Sequence, residues 1–165
     1  MRISNLILST TLIALLSSLS LNVLAADGAI KVRSIAQIEV EVTAKDGSKT
    51  MERKPVEKAV PGTEIIFTNS FENISTKAAS DIVINNPIPN STTYKAGSAF
   101  GQDCEILFSA DGGKTFGVAE SLKIKASDGA EHIALPKDYT HIRWSYKKQL
   151  PAGNTGEVGF RATIN

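Results

Sequence analysis

The sequence predicts an all-β domain, a sandwich or barrel of about seven to nine short strands. Three observations carry that prediction. Short runs alternate apolar and polar residues with period two, and Gly, Pro and Asn turn signals separate them. No segment longer than a turn or two repeats apolar residues at helical spacing.

In chain order, residues 37–43 alternate, with Ile38, Val40 and Val42 facing one way and Glu39 and Glu41 the other. Lys45-Asp46-Gly47-Ser48 turns this strand into residues 50–55, polar enough for an edge and ended by Pro55, which lacks a ladder donor. Pro61-Gly62 precedes an apolar strand at 64–72, where Ile65, Phe67 and Phe71 share a parity. A small-residue loop at 75–79 leads to a short buried strand at 81–85, stopped by Pro87 and Pro89. Residues 94–98 form a turn region before a strand at 104–109, and Asp111-Gly112-Gly113 returns the chain into 114–116. Residues 117–137 are weakly patterned, with a strand at 122–124 and a turn at Asp128-Gly129. Ile142, Trp144 and Tyr146 alternate with Arg143, Ser145 and Lys147. After the turn at 151–154, Val158, Phe160, Ala162 and Ile164 share one face of a last strand and Glu157, Arg161 and Thr163 the other.

Residues 1–25 have the composition of an export signal: Arg2 in a short n-region, an apolar stretch at 6–21, and Val23-Leu24-Ala25 as the cleavage site. The apolar stretch is shorter and richer in hydroxyls than a spanning helix. Cleavage after Ala25 of the 165-residue chain leaves 140 residues, the size of one domain. The expected organisation is a signal peptide at 1–25, a loose lead at 26–34 and a single domain at 35–165. Arg2 leaves with the signal, so the 18 basic residues become 17 and balance the 17 acidic ones. A neutral chain with scattered charge lacks the clustered basic face that nucleic acid requires. A single cysteine, Cys104, excludes an internal disulfide, and its parity with Ile106 and Phe108 reads as a buried thiol, with pairing between chains as the alternative.

The ordered set Val60-Pro61-Gly62-Thr63, the aromatic strand ending near Asn73, residues 82–85, Ile88-Pro89, Arg143-Trp144-Ser145-Tyr146, Leu150-Pro151-Ala152-Gly153 and residues 158–164 resembles the domain-of-unknown-function 11 family. That family is the conserved repeat domain of bacterial surface proteins. The resemblance covers residues 59–165 and implies an immunoglobulin-like antiparallel sandwich in the envelope or outside the cell, without enzymatic activity. Asn86 stands where the family often has Asp, and one copy is present where members are often tandem.

Residues 109–116, Ser-Ala-Asp-Gly-Gly-Lys-Thr-Phe, resemble the Asp-box of β-propeller hairpins. In that motif the Asp caps turn amides, the glycines take φ > 0 and the terminal aromatic packs under the hairpin. Ser109, Asp111, Gly113, Thr115 and Phe116 are therefore assigned as hairpin scaffolding. His132 and His141 lack the companions of a zinc set, the aspartates lack the spacing of a calcium loop, and no Gly-x-Ser-x-Gly elbow, phosphate loop or His-Glu-x-x-His occurs. No catalytic residue, metal site or cofactor is expected. Asn73-Ile74-Ser75 and Asn90-Ser91-Thr92 match the glycosylation pattern but read as polar loops. The expected function is an exported structural or protein-interaction module of a bacterial envelope, periplasmic or at the cell surface, with an envelope or surface protein as partner. The alternative is a carbohydrate-recognising accessory module that stacks sugars on Tyr94, Tyr139 and Tyr146.

Overall fold

The computed structural model describes residues 22–24, 29–125 and 129–165. They form the expected all-β antiparallel sandwich. Its strands are β1 (Asn22–Leu24), β2 (Ile30–Thr43), β3 (Lys49–Pro55), β4 (Glu64–Asn73), β5 (Val83–Pro87), β6 (Thr92–Tyr94), β7 (Phe100–Gly101), β8 (Cys104–Ser109), β9 (Lys123–Lys125), β10 (Glu131–Ile133), β11 (His141–Tyr146) and β12 (Thr155–Ile164). The described residues hold twelve strands, more than the expected seven to nine, because β1, β6, β7 and β10 are only two or three residues long. Runs that short carry no readable alternation.

One sheet has the order β3-β2-β4-β12-β6, with β7 also on β12. The facing sheet runs β1-β5-β11-β8, and β9 with β10 makes a small separate hairpin. β4, β8, β11 and β12 turn their apolar parity inward. Ile65, Phe67, Phe71, Val158, Phe160, Ala162 and Ile164 come from the larger sheet, and Ile84, Phe108, Ile142 and Trp144 from the smaller. Phe67 stacks on Phe160 across the neighbouring strands β4 and β12 at 5.0 Å, and between the layers the Trp144 ring lies 6.3 Å from that of Phe160. Gly159 stands where β12 passes close to its neighbours. A Cβ there would sit 2.4 Å from the Phe67 carbonyl oxygen and 2.6 Å from the Phe100 ring.

Two expectations need correction. The lead expected to be loose from 26 to 34 is strand from Ile30 onward, with Ile30 opposite Asn73 and Ser34 opposite Asn69; residues 26–28 lie outside the described residues. β2 then changes partner at Gln37, which faces both Ile66 of β4 and Pro55 of β3. The strand expected at 81–85 begins only at Val83, because Asp81 takes a left-handed φ of 53°. Of the expected export signal, residues 1–21 and Ala25 lie outside the described residues. Asn22–Leu24 is β1, paired antiparallel with β5: Asn22 opposite Asn85, Val23 opposite Ile84 and Leu24 opposite Val83.

On the outer face of the larger sheet, Arg161 holds three strands together. It donates two bonds to Glu39 (2.9 and 2.8 Å) and one to Glu64 (2.8 Å), which also accepts from Lys95 at 2.6 Å. The bidentate bond from Arg161 holds the Glu39 carboxyl at about 2, below its ordinary 4.5. A carboxyl depressed by folding stabilises the native state above its unfolded pKa and loses that contribution as pH falls through the native one. Stability is therefore expected to decline between about pH 4.5 and pH 2. Glu39→Gln should flatten that part of the profile, measured by urea unfolding at stepped pH.

Candidate functional site

The Asp-box-like segment closes the end of β8, and Asp111 is its hub. Ser109 Oγ–H donates to Asp111 Oδ1 at 2.7 Å, and the amides of Lys114 and Thr115 donate to the same oxygen at 3.1 and 3.0 Å. Thr115 Oγ–H donates to Oδ2 at 2.7 Å. These bonds, foremost those from the Thr115 amide and hydroxyl, hold the carboxyl well below the usual carboxylate range. Ser109 Oγ accepts from the Gly113 amide at 2.9 Å, and Gly112 and Gly113 take φ of 77° and 82°. Ser109, Asp111, Gly113 and Thr115 are tied to one another by these bonds within the turn.

Two features of the hairpin differ from expectation. Residues 114–116 are not a strand, because Asp111 has taken the amides of Lys114 and Thr115 that a ladder would use. The chain rejoins β8 only at Gly117, through reciprocal bonds with Phe108 of 2.8 and 3.0 Å. Phe116 also has a partner outside the hairpin. The Arg143 guanidinium lies 3.7 Å from its ring centroid, a cation–π contact, while Arg143 Nε donates to Asn85 Oδ1 at 2.8 Å. Phe116, Arg143 and Asn85 thus join the hairpin, β11 and β5 on the outer face of the smaller sheet. In the sequence Arg143 appears only as a member of the Arg143–Tyr146 alternation, with no partner assigned to it.

The remaining candidates sit in separate places. His132 lies on the exposed β10, and half-buried His141 opens β11 with Nδ1 3.2 Å from Thr140 Oγ1. Burial lowers the His141 pKa, partly opposed by Asp111. Cys104 is half-buried and free, and burial followed by the charge of Asp103 pushes its thiol up to about 11, away from the reactive thiolate. No group of three or more His, Cys, Asp or Glu side chains among the described residues is placed to hold a metal ion. Tyr94 and Tyr139 are buried, and Tyr146 packs its ring 5.8 Å from Phe71, so the three tyrosines form no common surface for stacking.

Two asparagines have defined places. Asn73 is fully buried, with its amide donating to the carbonyls of Lys77 (2.7 Å) and Leu150 (2.8 Å) and its Oδ1 accepting from the Ser75 amide and hydroxyl. It is a tie between two turns and offers no nitrogen for glycosylation in the fold; Asn90 is exposed. Asn86 is buried with Oδ1 unpartnered among the described residues. An ionised Asp at that place would bury an uncompensated charge, which accounts for the neutral amide.

Compared with known proteins, the chain matches no family model, no curated protein and no solved structure.

Proposed function

We propose that this chain is an exported, non-catalytic β-sandwich that serves as a structural or protein-interaction module of the bacterial cell envelope, in the manner of the domain-of-unknown-function 11 family. The observation carrying this reading is the state of its chemically capable groups. Asp111 and Ser109 are engaged in hairpin bonds, and the Cys104 thiol is held protonated. The leader composition of residues 1–25 supplies the address, and among the described residues no helix is long and apolar enough to cross a membrane. The carbohydrate reading loses the aromatic surface on which it rested, since Tyr94 and Tyr139 face the core. Fractionation of expressing cells, followed by crosslinking and mass spectrometry, tests the proposal. The expected product lacks residues 1–25, lies in the envelope fraction and is crosslinked to envelope protein. Recovery at full length in the cytosol, or only as an uncrosslinked monomer, would overturn it.

A further inference from the structure

The two main sheets differ in how their edges are protected. An unpaired strand edge invites pairing with another chain, and proteins blunt it with charge, proline, shortness or cover. β3 carries Lys49, Glu52, Arg53 and Lys54 and ends in Pro55, with every residue exposed. β8 carries Glu105 and is covered at Phe108 by the reciprocal bonds with Gly117. β6 is three residues long and follows Pro89. β5 has none of these devices along Val83-Ile84-Asn85-Asn86 apart from Pro87 at one end. It has no charged residue, and its outer edge is covered by β1.

Asn22–Leu24 belongs to the stretch read as a removable leader, so export would take the cover away. We infer that cleavage after Ala25 uncovers β5 as a strand-accepting edge, which then pairs antiparallel with β5 of a second copy of this chain. The inference rests on the leader reading under the proposed function. β1 demonstrates the geometry the edge accepts, an antiparallel strand with an apolar residue opposite core-facing Ile84. A two-fold axis beside Ile84 reproduces it: Ile84 meets its symmetry mate and Val83 meets Asn85, with antiparallel direction imposed by the symmetry. No charge on β5 opposes that pairing, and the leaderless chain carries 17 basic and 17 acidic residues, so the copies do not repel at long range.

Two forms test this directly, one beginning at Asn22 and one at Ala26, compared by sedimentation velocity and hydrogen exchange over the micromolar range. The expected result is a monomer for the Asn22 form and a dimer for the Ala26 form. The amides of 83–86 in the Ala26 form should be protected in proportion to concentration. Val83→Lys, on the outward face, should weaken the dimer about tenfold by placing charge on the edge, with an unchanged far-UV spectrum. A monomeric Ala26 form would overturn the inference, whether or not it captures a strand from another protein. So would a dimer indifferent to Val83→Lys or one formed equally with Asn22–Leu24 in place. Because both forms are prepared directly, the outcome does not depend on whether cells remove the leader, which the mass of the exported chain reports separately.

Discussion

Trp144→Ala is expected to lower the unfolding free energy by about 3–5 kcal/mol, the range for truncating a large buried aromatic. A domain of this size has only about 5–15 kcal/mol in total, so the variant should populate unfolded chains at ambient temperature. Trp144 is 1% exposed in the middle of β11, opposite Ile84 on one side and Ile106 on the other. Its ring approaches Phe160 of the facing sheet, and its Cδ1 would stand 3.0 Å from a Cβ at Gly101. The cavity left by Ala is thus walled by both sheets and cannot be filled by one side chain turning. A second substitution separates packing from polarity. Trp144 Nε1 has no hydrogen-bond partner among the described residues, so Trp144→Phe removes an unpaired donor along with some apolar area. It should cost about 1–2 kcal/mol, less than area alone implies. Urea unfolding followed by circular dichroism measures both, since Trp144 is the only tryptophan and its fluorescence is lost. A cost below about 1 kcal/mol for Trp144→Ala would mean that the sheets do not pack through this ring.

The strands that were legible in the sequence are those whose alternation survives uninterrupted. β8, β11 and β12 keep one apolar parity along their length, and each is found where that parity predicts. The first half of β2 was hidden because Ser34 interrupts the inward series of Ile30, Val32, Ala36 and Ile38, while Ile35 points outward at 45% exposure. Pairing with β4 overrides that broken pattern. β1 was illegible for a different reason: an apolar leader composition says nothing about docking on a sheet. At the hairpin, the motif spacing correctly located the capping bonds of Asp111. It could not show that Phe116 would lie beneath Arg143, because that contact joins residues 27 positions apart.

Asn73→Ala is the second large expected effect, about 2–4 kcal/mol, and it should be felt first in two turns. The side chain makes four hydrogen bonds in a site with no solvent access, two as donor to Lys77 and Leu150 and two as acceptor from Ser75. The consequences of losing them are unequal. Leu150 O still accepts from the Ala79 amide, and Lys77 O still accepts from Ser75 Oγ, so neither carbonyl is wholly orphaned. The Ser75 amide loses the side-chain oxygen that caps it, which frees the loop before Ala79. Asn73→Asp distinguishes the donors from the acceptor. Asp keeps an oxygen for Ser75 but turns a carboxylate toward two carbonyl oxygens, so it should be at least as destabilising as Ala despite its closer shape. Limited proteolysis should cut near 75–78 in both variants before global unfolding, and hydrogen exchange should quicken at Ser75 and at the Ala79–Leu150 bridge. If Asn73→Asp were as stable as the parent, the two donated bonds would be immaterial and the buried amide would be only a filler. Equal protection of Ser75 in Asn73→Ala and the parent would likewise place the stability of this corner in the Ala79–Leu150 backbone pair alone.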